Sequence, residues 1–284
     1  MADTTPDITD TAQTVLTPFE RNTLEKAEAW FEASFSGYDR AGAGTCPAPE
    51  GEKLLILCMT PRSGSTALSA ALRSCKQLGL GGERLHRKPG KFHDLIFAED
   101  NPVNPAEYLD AVIRRSRTKN GVGQIKCDYP QIFPFFADPG ARERLRAARM
   151  VFLTRQDMLG QAISRFKGQQ TGYWHSTQKA PSGAKARVEY DFDAIRKQVL
   201  FLANMTAAYE RMFAVFGIDP LRITYEEVVA DTPSVVARIG AHVGVELSQV
   251  VELSDGGHER IASTENDQLR ARFLADISEA YRRA

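Results

Sequence analysis

Residues 57–66 read LCMTPRSGST, an apolar run that breaks into a small, polar turn. A turn of this make-up between a strand and a helix points backbone N–H groups and a helix N-terminus at an anion. Set against the phosphate loop G-x-x-x-x-G-K-[ST], Gly64 takes the place of the second glycine. Met59 stands where the first glycine would be, and Ser65 replaces the lysine that reaches the β and γ phosphates. The cation instead comes early, as Arg62, and the hydroxyls of Ser63, Ser65 and Thr66 surround the glycine. A loop without the γ-phosphate lysine but with its N–H cradle suits one phosphate carrying an electrophilic group, such as a 5′-phosphosulfate, better than a triphosphate. Read alone, PRSGST also has a lesser reading as only a helix-capping turn, since serine and threonine are good caps.

Other residues carry chemistry further along. Arg155 ends the run RMVFLTR, and Asp157 is placed to cap a helix that bears Ser164 two turns later. QQTGYW offers amides for sugar hydroxyls and flat rings for a pyranose face, which makes Gln170 and Trp174 candidate acceptor contacts; core packing is the competing account of Trp174. Glu83 in GLGGERLH and Asp128 after QIKC are carboxylates, and a lone carboxylate is ordinarily just solvated. His86, His93 and His175 lie in polar segments and receive no role.

The elements that must hold these groups alternate between strand and helix patterns. LLILCM (54–59), GVGQIKC (121–127), RMVFLTR (149–155) and RITYEEV (222–228) read as strands, with helices over 65–76 and SVVARIGAHVGV. Alternation of this kind predicts an α/β fold, a P-loop-type, mainly parallel sheet flanked by helices on both faces, with ligands beyond the carboxyl ends of the strands. Ahead of it, Thr17-Pro18 and Glu20 form a capping-box signature, and Leu24, Ala27, Trp30, Phe31 and Phe35 share one helical face. We therefore expect an N-terminal tail and amphipathic helical extension over 1–52 and one domain over 53–284. The helix packs either across a subunit boundary or back onto its own domain.

Composition excludes several classes. Lys+Arg and Asp+Glu are 36 each among 284 residues, so no global basic excess points to nucleic acid, and any anion site is local. Cys46, Cys58, Cys75 and Cys127 have no metal-ligand spacing and read as free thiols of a reducing compartment. The N-terminus lacks an apolar signal-like stretch and no apolar run is long enough to span a membrane, so the expected location is the cytoplasm.

TPRSGST after the first strand, TRQDMLGQAIS after a middle strand and ITYEEVVADTP near the end together resemble the PAPS-dependent sulfotransferases. GGE at 81–83, QIKCDYPQ at 124–131 and QQTGYW at 169–174 look like the bacterial carbohydrate branch of trehalose 2-sulfotransferase and the Nod-factor sulfotransferase. The likeness runs from about Lys53 to the C-terminus. It implies that residues Arg62, Ser63, Gly64, Ser65 and Thr66 hold the 5′-phosphosulfate of PAPS (3′-phosphoadenosine 5′-phosphosulfate), and that Arg155 and Ser164 clamp the 3′-phosphate. It implies sulfuryl transfer to a carbohydrate or glycolipid hydroxyl without a metal, and leaves a homodimer open.

An alcohol needs a base, and by the resemblance Glu83 matches the glutamate that serves in this branch, with Asp128 as the second candidate. Lys126 matches the family's strand lysine and would stabilise sulfuryl oxygens, unless it is a strand lysine facing solvent. Arg84 stands where the trehalose enzyme has proline, so acceptor specificity transfers less well than the base. Arg84, Arg87, Lys88 and Lys91 either favour an anionic acceptor or form a solvated face. Arg260 is a further nucleotide contact to consider. The competing classes are a P-loop kinase or NTPase, which the missing lysine opposes, and an inactive PAP-binding regulator.

Overall fold

The computed structural model describes residues 15–38, 46–85, 90–174, 188–248 and 264–283. Along the chain these form α1 (Pro18–Ser34), β1 (Leu54–Met59), α2 (Ser65–Ser74), α3 (Lys91–Glu99), α4 (Pro105–Arg114), β2 (Gly123–Cys127), α5 (Tyr129–Ala137) and α6 (Pro139–Leu145). There follow β3 (Arg149–Thr154), α7 (Met158–Thr171), α8 (Phe192–Val215), β4 (Leu221–Thr224), α9 (Tyr225–Ala230), α10 (Thr232–Val243) and α11 (Thr264–Arg283). They fall into two compact units, one holding residues to Glu52 with Arg84–Arg115 and Tyr129–Ala147, the other Lys53–Glu83, Ser116–Asp128 and Ala148 onward. The chain first passes from one unit to the other between Glu52 and Lys53, and the first unit also takes in two later segments.

The second unit is built on a four-stranded parallel sheet of order β2-β1-β3-β4. Central β1 is buried along its whole length, which is why LLILCM is a continuous apolar run rather than an alternating one. Period-2 geometry still sorts its side chains. Leu55, Leu57 and Met59 face Leu68 and Leu72 of α2 and Val236 and Ile239 of α10. On the opposite face Phe152 meets Tyr209 and Phe213 of α8 at ring distances of 4.9 and 5.4 Å. Parallel register brings all four carboxyl ends to one rim, and that rim carries Thr60–Gly64, Asp128, Arg155 and Tyr225.

One expected strand is corrected. RITYEEV does not continue as a strand past Thr224: β4 stops there and α9 starts at Tyr225. Thr224 Oγ1 accepts the Glu227 N–H at 3.2 Å while the Glu227 carboxylate accepts the Thr224 N–H at 2.7 Å, a capping box that outweighs the β-branched content of the segment.

In the first unit, α1 opens on the expected capping box between Thr17 and Glu20 and buries Leu24, Ala27 and Phe31. Trp30 and Phe31 meet Tyr108 and Phe135 edge-on at 5.4 and 5.6 Å, so the amphipathic face packs onto its own unit. Beneath it the fully buried Arg144 donates to both carboxylate oxygens of Glu52 and to Asp110.

Segment 79–83 is held by Leu80 N–H to Ser116 O (2.8 Å), ahead of β2, and by Lys126 N–H of β2 to Gly82 O (3.0 Å). A Cβ on Gly79, whose φ is +85°, would lie 2.3 Å from Gln124 Cβ, and one on Gly81 would lie 2.6 Å from Gln124 Oε1. Gly79→Ala is therefore expected to destabilise the chain by about 1–3 kcal/mol from overpacking alone, with backbone strain added, as read by urea unfolding.

Candidate active site

β1 delivers its loop to the rim in a strained conformation. Arg62 has φ +67°, a left-handed backbone that non-glycine residues seldom adopt and that clusters at functional sites. Gly64, at φ +82°, is the N-cap of α2, and a Cβ there would meet the Tyr225 ring at 2.4 Å. Glycine is thus required twice over, by conformation and by the ring. Ser63 and Ser65 are buried while Thr66 is exposed, and the Ser63 hydroxyl has no hydrogen-bond partner.

Arg62 is held from α7. Its Nε donates to Ser164 Oγ at 2.9 Å, and its NH1 donates to the Trp174 carbonyl. Ser164 of α7 is thereby joined to the loop after β1. Burial lowers the Arg62 pKa, and the nearby Arg155 guanidinium lowers it further. Two like charges thus approach one another, and Arg155 Nε is buried with no partner.

Arg155 lies over the Tyr225 ring at 4.8 Å and reaches Asp157 at 3.6 Å. Asp157 caps α7 through the Gly160 N–H at 2.9 Å and receives Arg270 of α11 on both oxygens, at 2.5 and 2.6 Å. Gly160 is needed for that approach, since a Cβ would sit 2.1 Å from Asp157 Oδ2. Tyr225 and Arg270 escaped the sequence reading. The T-x-x-E of the capping box was the available signal for Tyr225, and nothing local marks Arg270.

On the adjoining strand, Lys126 is not a solvent-facing lysine. Its side chain is 9% exposed and pairs with Glu83 at 2.9 Å, and the Glu83 carboxylate is one-third exposed. Gly79 and Gly81 let the chain lie against Gln124, and that places Glu83 beside the lysine two residues on from Gln124. Asp128 follows β2 and acts on Arg165 of α7, whose pKa burial lowers while Asp128 works in the opposite direction. Arg165 stacks on Phe201 at 4.1 Å and donates to Gln198. Below them Cys58 and Cys127 are free, fully buried and paired in register; burial, with Cys58 next, pushes the Cys127 thiol well above its usual range.

The Trp174 ring packs against Gly168, where a Cβ would lie 2.8 Å away. Gln170 engages both ends of its amide with one residue, donating to the Glu189 carbonyl at 2.7 Å and accepting the Glu189 N–H at 3.0 Å, which leaves a second N–H and a second lone pair. Arg84 lies over the Phe92 ring at 4.3 Å. Arg87, Lys88, His86, His175, Arg260 and the Lys91 side chain lie outside the described residues. Among the described residues no His/Cys/Asp/Glu cluster could hold a metal ion, and no helix is long and apolar enough to cross a membrane.

The rim thus holds two converging guanidiniums, an unpartnered buried hydroxyl and the N-terminus of α2, an arrangement that fits an anion with more than one charged group. The sequence model of the Stf0 sulphotransferase family matches residues 54–276, and the chain belongs to that family of sulfuryl-transferring enzymes. No curated protein sequence matches it. Among solved structures it is similar to a sulfotransferase from Alicyclobacillus acidocaldarius, at 16% identity and a TM-score of 0.44, over 81% of this chain and 94% of that one. It is also similar to the sulfotransferase domain of the curacin biosynthetic pathway, at 13% identity and a TM-score of 0.42, over 78% and 83%. A retinol dehydratase in complex with retinol and PAP aligns at 14% identity and a TM-score of 0.38, over 80% and 65%.

Asp157 gives a pH test. Burial raises its pKa, but the Arg270 hydrogen bond, the Gly160 N–H and the Arg270 and Arg155 charges outweigh burial and hold the carboxyl below the ordinary 3.8. A carboxyl with a depressed folded-state pKa adds stability above its unfolded pKa and loses it as pH falls through the folded value. Urea unfolding from pH 5 down to about pH 2 should show wild type losing more stability than Asp157→Asn, which starts lower and changes less.

Proposed function

We propose that this chain transfers a sulfuryl group from PAPS to a hydroxyl of a carbohydrate or glycolipid, in line, with a carboxylate as general base. The observation that carries this reading is the placement of Arg62 and Arg155 after neighbouring parallel strands, with Arg62 held by Ser164 next to the unpartnered Ser63 hydroxyl. Family membership supports the reaction class.

When bound, the donor supplies a sulfur already activated by its bond to a phosphate leaving group. The N–H groups at the start of α2 and the side chains of Ser63, Ser65 and Thr66 bind that phosphate, and Arg62 offsets the charge that collects on it. Arg155 and Ser164 serve the 3′-phosphate, the Ser164 hydroxyl being already oriented by Arg62. Because the charges are fixed before reaction, little reorganisation accompanies transfer.

Glu83 takes the acceptor proton, and Lys126 beside it supplies positive charge to the sulfuryl oxygens. Asp128, at the same strand end, is the alternative base. Trp174 offers a ring held on Gly168 to a pyranose face, and Gln170 shapes that edge through its bonds to Glu189.

Melting curves test the donor: PAP with chelator and no Mg²⁺ should raise the melting temperature, while ATP with Mg²⁺ and no chelator leaves it unchanged. The reverse ranking would favour a kinase or NTPase. For the base, Glu83→Gln should lower transfer of labelled sulfate from PAPS to a carbohydrate panel by about 10²–10⁴-fold and leave the PAP shift intact. Retention of activity by that variant moves the role to Asp128.

A further inference from the structure

Gln161 stands one turn into α7 and is 2% exposed. Its Nε2 donates to Thr60 Oγ1 at 2.8 Å and to the Pro61 carbonyl at 2.7 Å. Thr60 and Pro61 are the two residues between the end of β1 and Arg62. Pro61 has its own φ fixed by its ring, so the peptide plane after it is the one left to be set before Arg62. None of the described peptide bonds is cis. In a planar trans peptide, fixing the Pro61 carbonyl also fixes the Arg62 N–H, which points away from Gln161. It further limits the φ of Arg62, the residue that adopts the left-handed conformation.

The same helix then grips the Arg62 side chain. Ser164, three residues after Gln161, takes Arg62 Nε, and Gly168, seven residues after it, seats the Trp174 ring whose backbone carbonyl takes NH1. Positions 161, 164 and 168 lie on one helical face. Gln161 sets the backbone of the arginine and the other two set its head.

We propose that Gln161 is a positioning residue for sulfuryl transfer, acting through the Pro61–Arg62 peptide plane to aim the Arg62 guanidinium at the charge that develops on the leaving phosphate. The inference rests on the reading that this loop holds the donor phosphate. Gln161 touches no reacting atom in this scheme; its effect reaches the chemistry only through Arg62.

The test is a double-mutant cycle on the full chain, with steady-state kinetics for PAPS and calorimetric binding of PAP. Gln161→Met keeps the length of the side chain and removes the donor. It should lower kcat by about 10- to 100-fold and change the Kd for PAP by no more than about threefold, because misdirection is felt mainly in the transition state. Gln161→Glu, which puts a carboxylate against the Pro61 carbonyl, should behave likewise and replaces the first variant if that one does not fold. In an Arg62→Ala background the methionine or glutamate change should cost almost nothing further, because its effect passes through the arginine. Equal losses with and without Arg62, or full kcat in both single variants, would overturn the positioning role while leaving PAPS turnover by the wild-type chain in place. A wild-type chain that binds no PAP and turns over no PAPS would overturn the reading of the loop, and this inference with it.

Discussion

Two guanidiniums that repel one another across a strand rim are the constraint around which the second unit is arranged. Arg62 and Arg155 follow the ends of neighbouring parallel strands β1 and β3, so both lie at the same end of the sheet. Each is restrained differently. Arg62 is tied by neutral acceptors, the Ser164 hydroxyl and the Trp174 carbonyl, so its charge remains uncompensated; Arg155 has a ring beneath it and a carboxylate at 3.6 Å already engaged by Arg270. Had either been neutralised outright by a private carboxylate, the rim would have lost its demand for an anion. The arrangement instead keeps positive charge in reserve in a partly desolvated place, where an anion would interact with it more strongly than in water.

A second device serves the neighbouring edge. Lys126 is a strand residue that the sheet buries, and a buried ammonium needs a partner. That partner arrives on a segment with no secondary structure of its own, held at β2 and just ahead of it by backbone hydrogen bonds and by glycines that tolerate close approach. α7 plays the corresponding part for the loop after β1. Both sides of the rim therefore take their geometry from regular elements rather than from the loops that carry the chemistry, which is how a short, strained loop keeps a defined shape.

Much of this was legible in the residue order because the signals were local. LLILCM is uniformly apolar because both faces of β1 are covered; the Thr17–Glu20 box and the Leu24–Phe31 stripe gave α1 its start and its buried side; TPRSGST gave the loop. Thr224 to Glu227 was legible in principle and misleading in practice, since isoleucine, threonine and tyrosine favour a strand until the reciprocal cap is noticed. Partnerships between distant positions had no such signal. That Ser164 would bond Arg62, that Gln161 would hold Pro61, and that Arg270 would close on Asp157 depends on how helices lie on the sheet, and a buried glutamine mid-helix looks like any other polar residue in the sequence. Gln170 shows the reverse case, an amide with the right chemistry for a sugar that spends both ends on the Glu189 backbone.

The glycine segment ahead of Glu83 has an evolutionary corollary. Its path is set by main-chain hydrogen bonds to Ser116 and Lys126 and by the absence of side chains at Gly79 and Gly81 beside Gln124, and that path brings the Glu83 carboxylate to Lys126. Sequences related to this one are then expected to keep glycine at these two positions wherever they keep the Glu83–Lys126 pair.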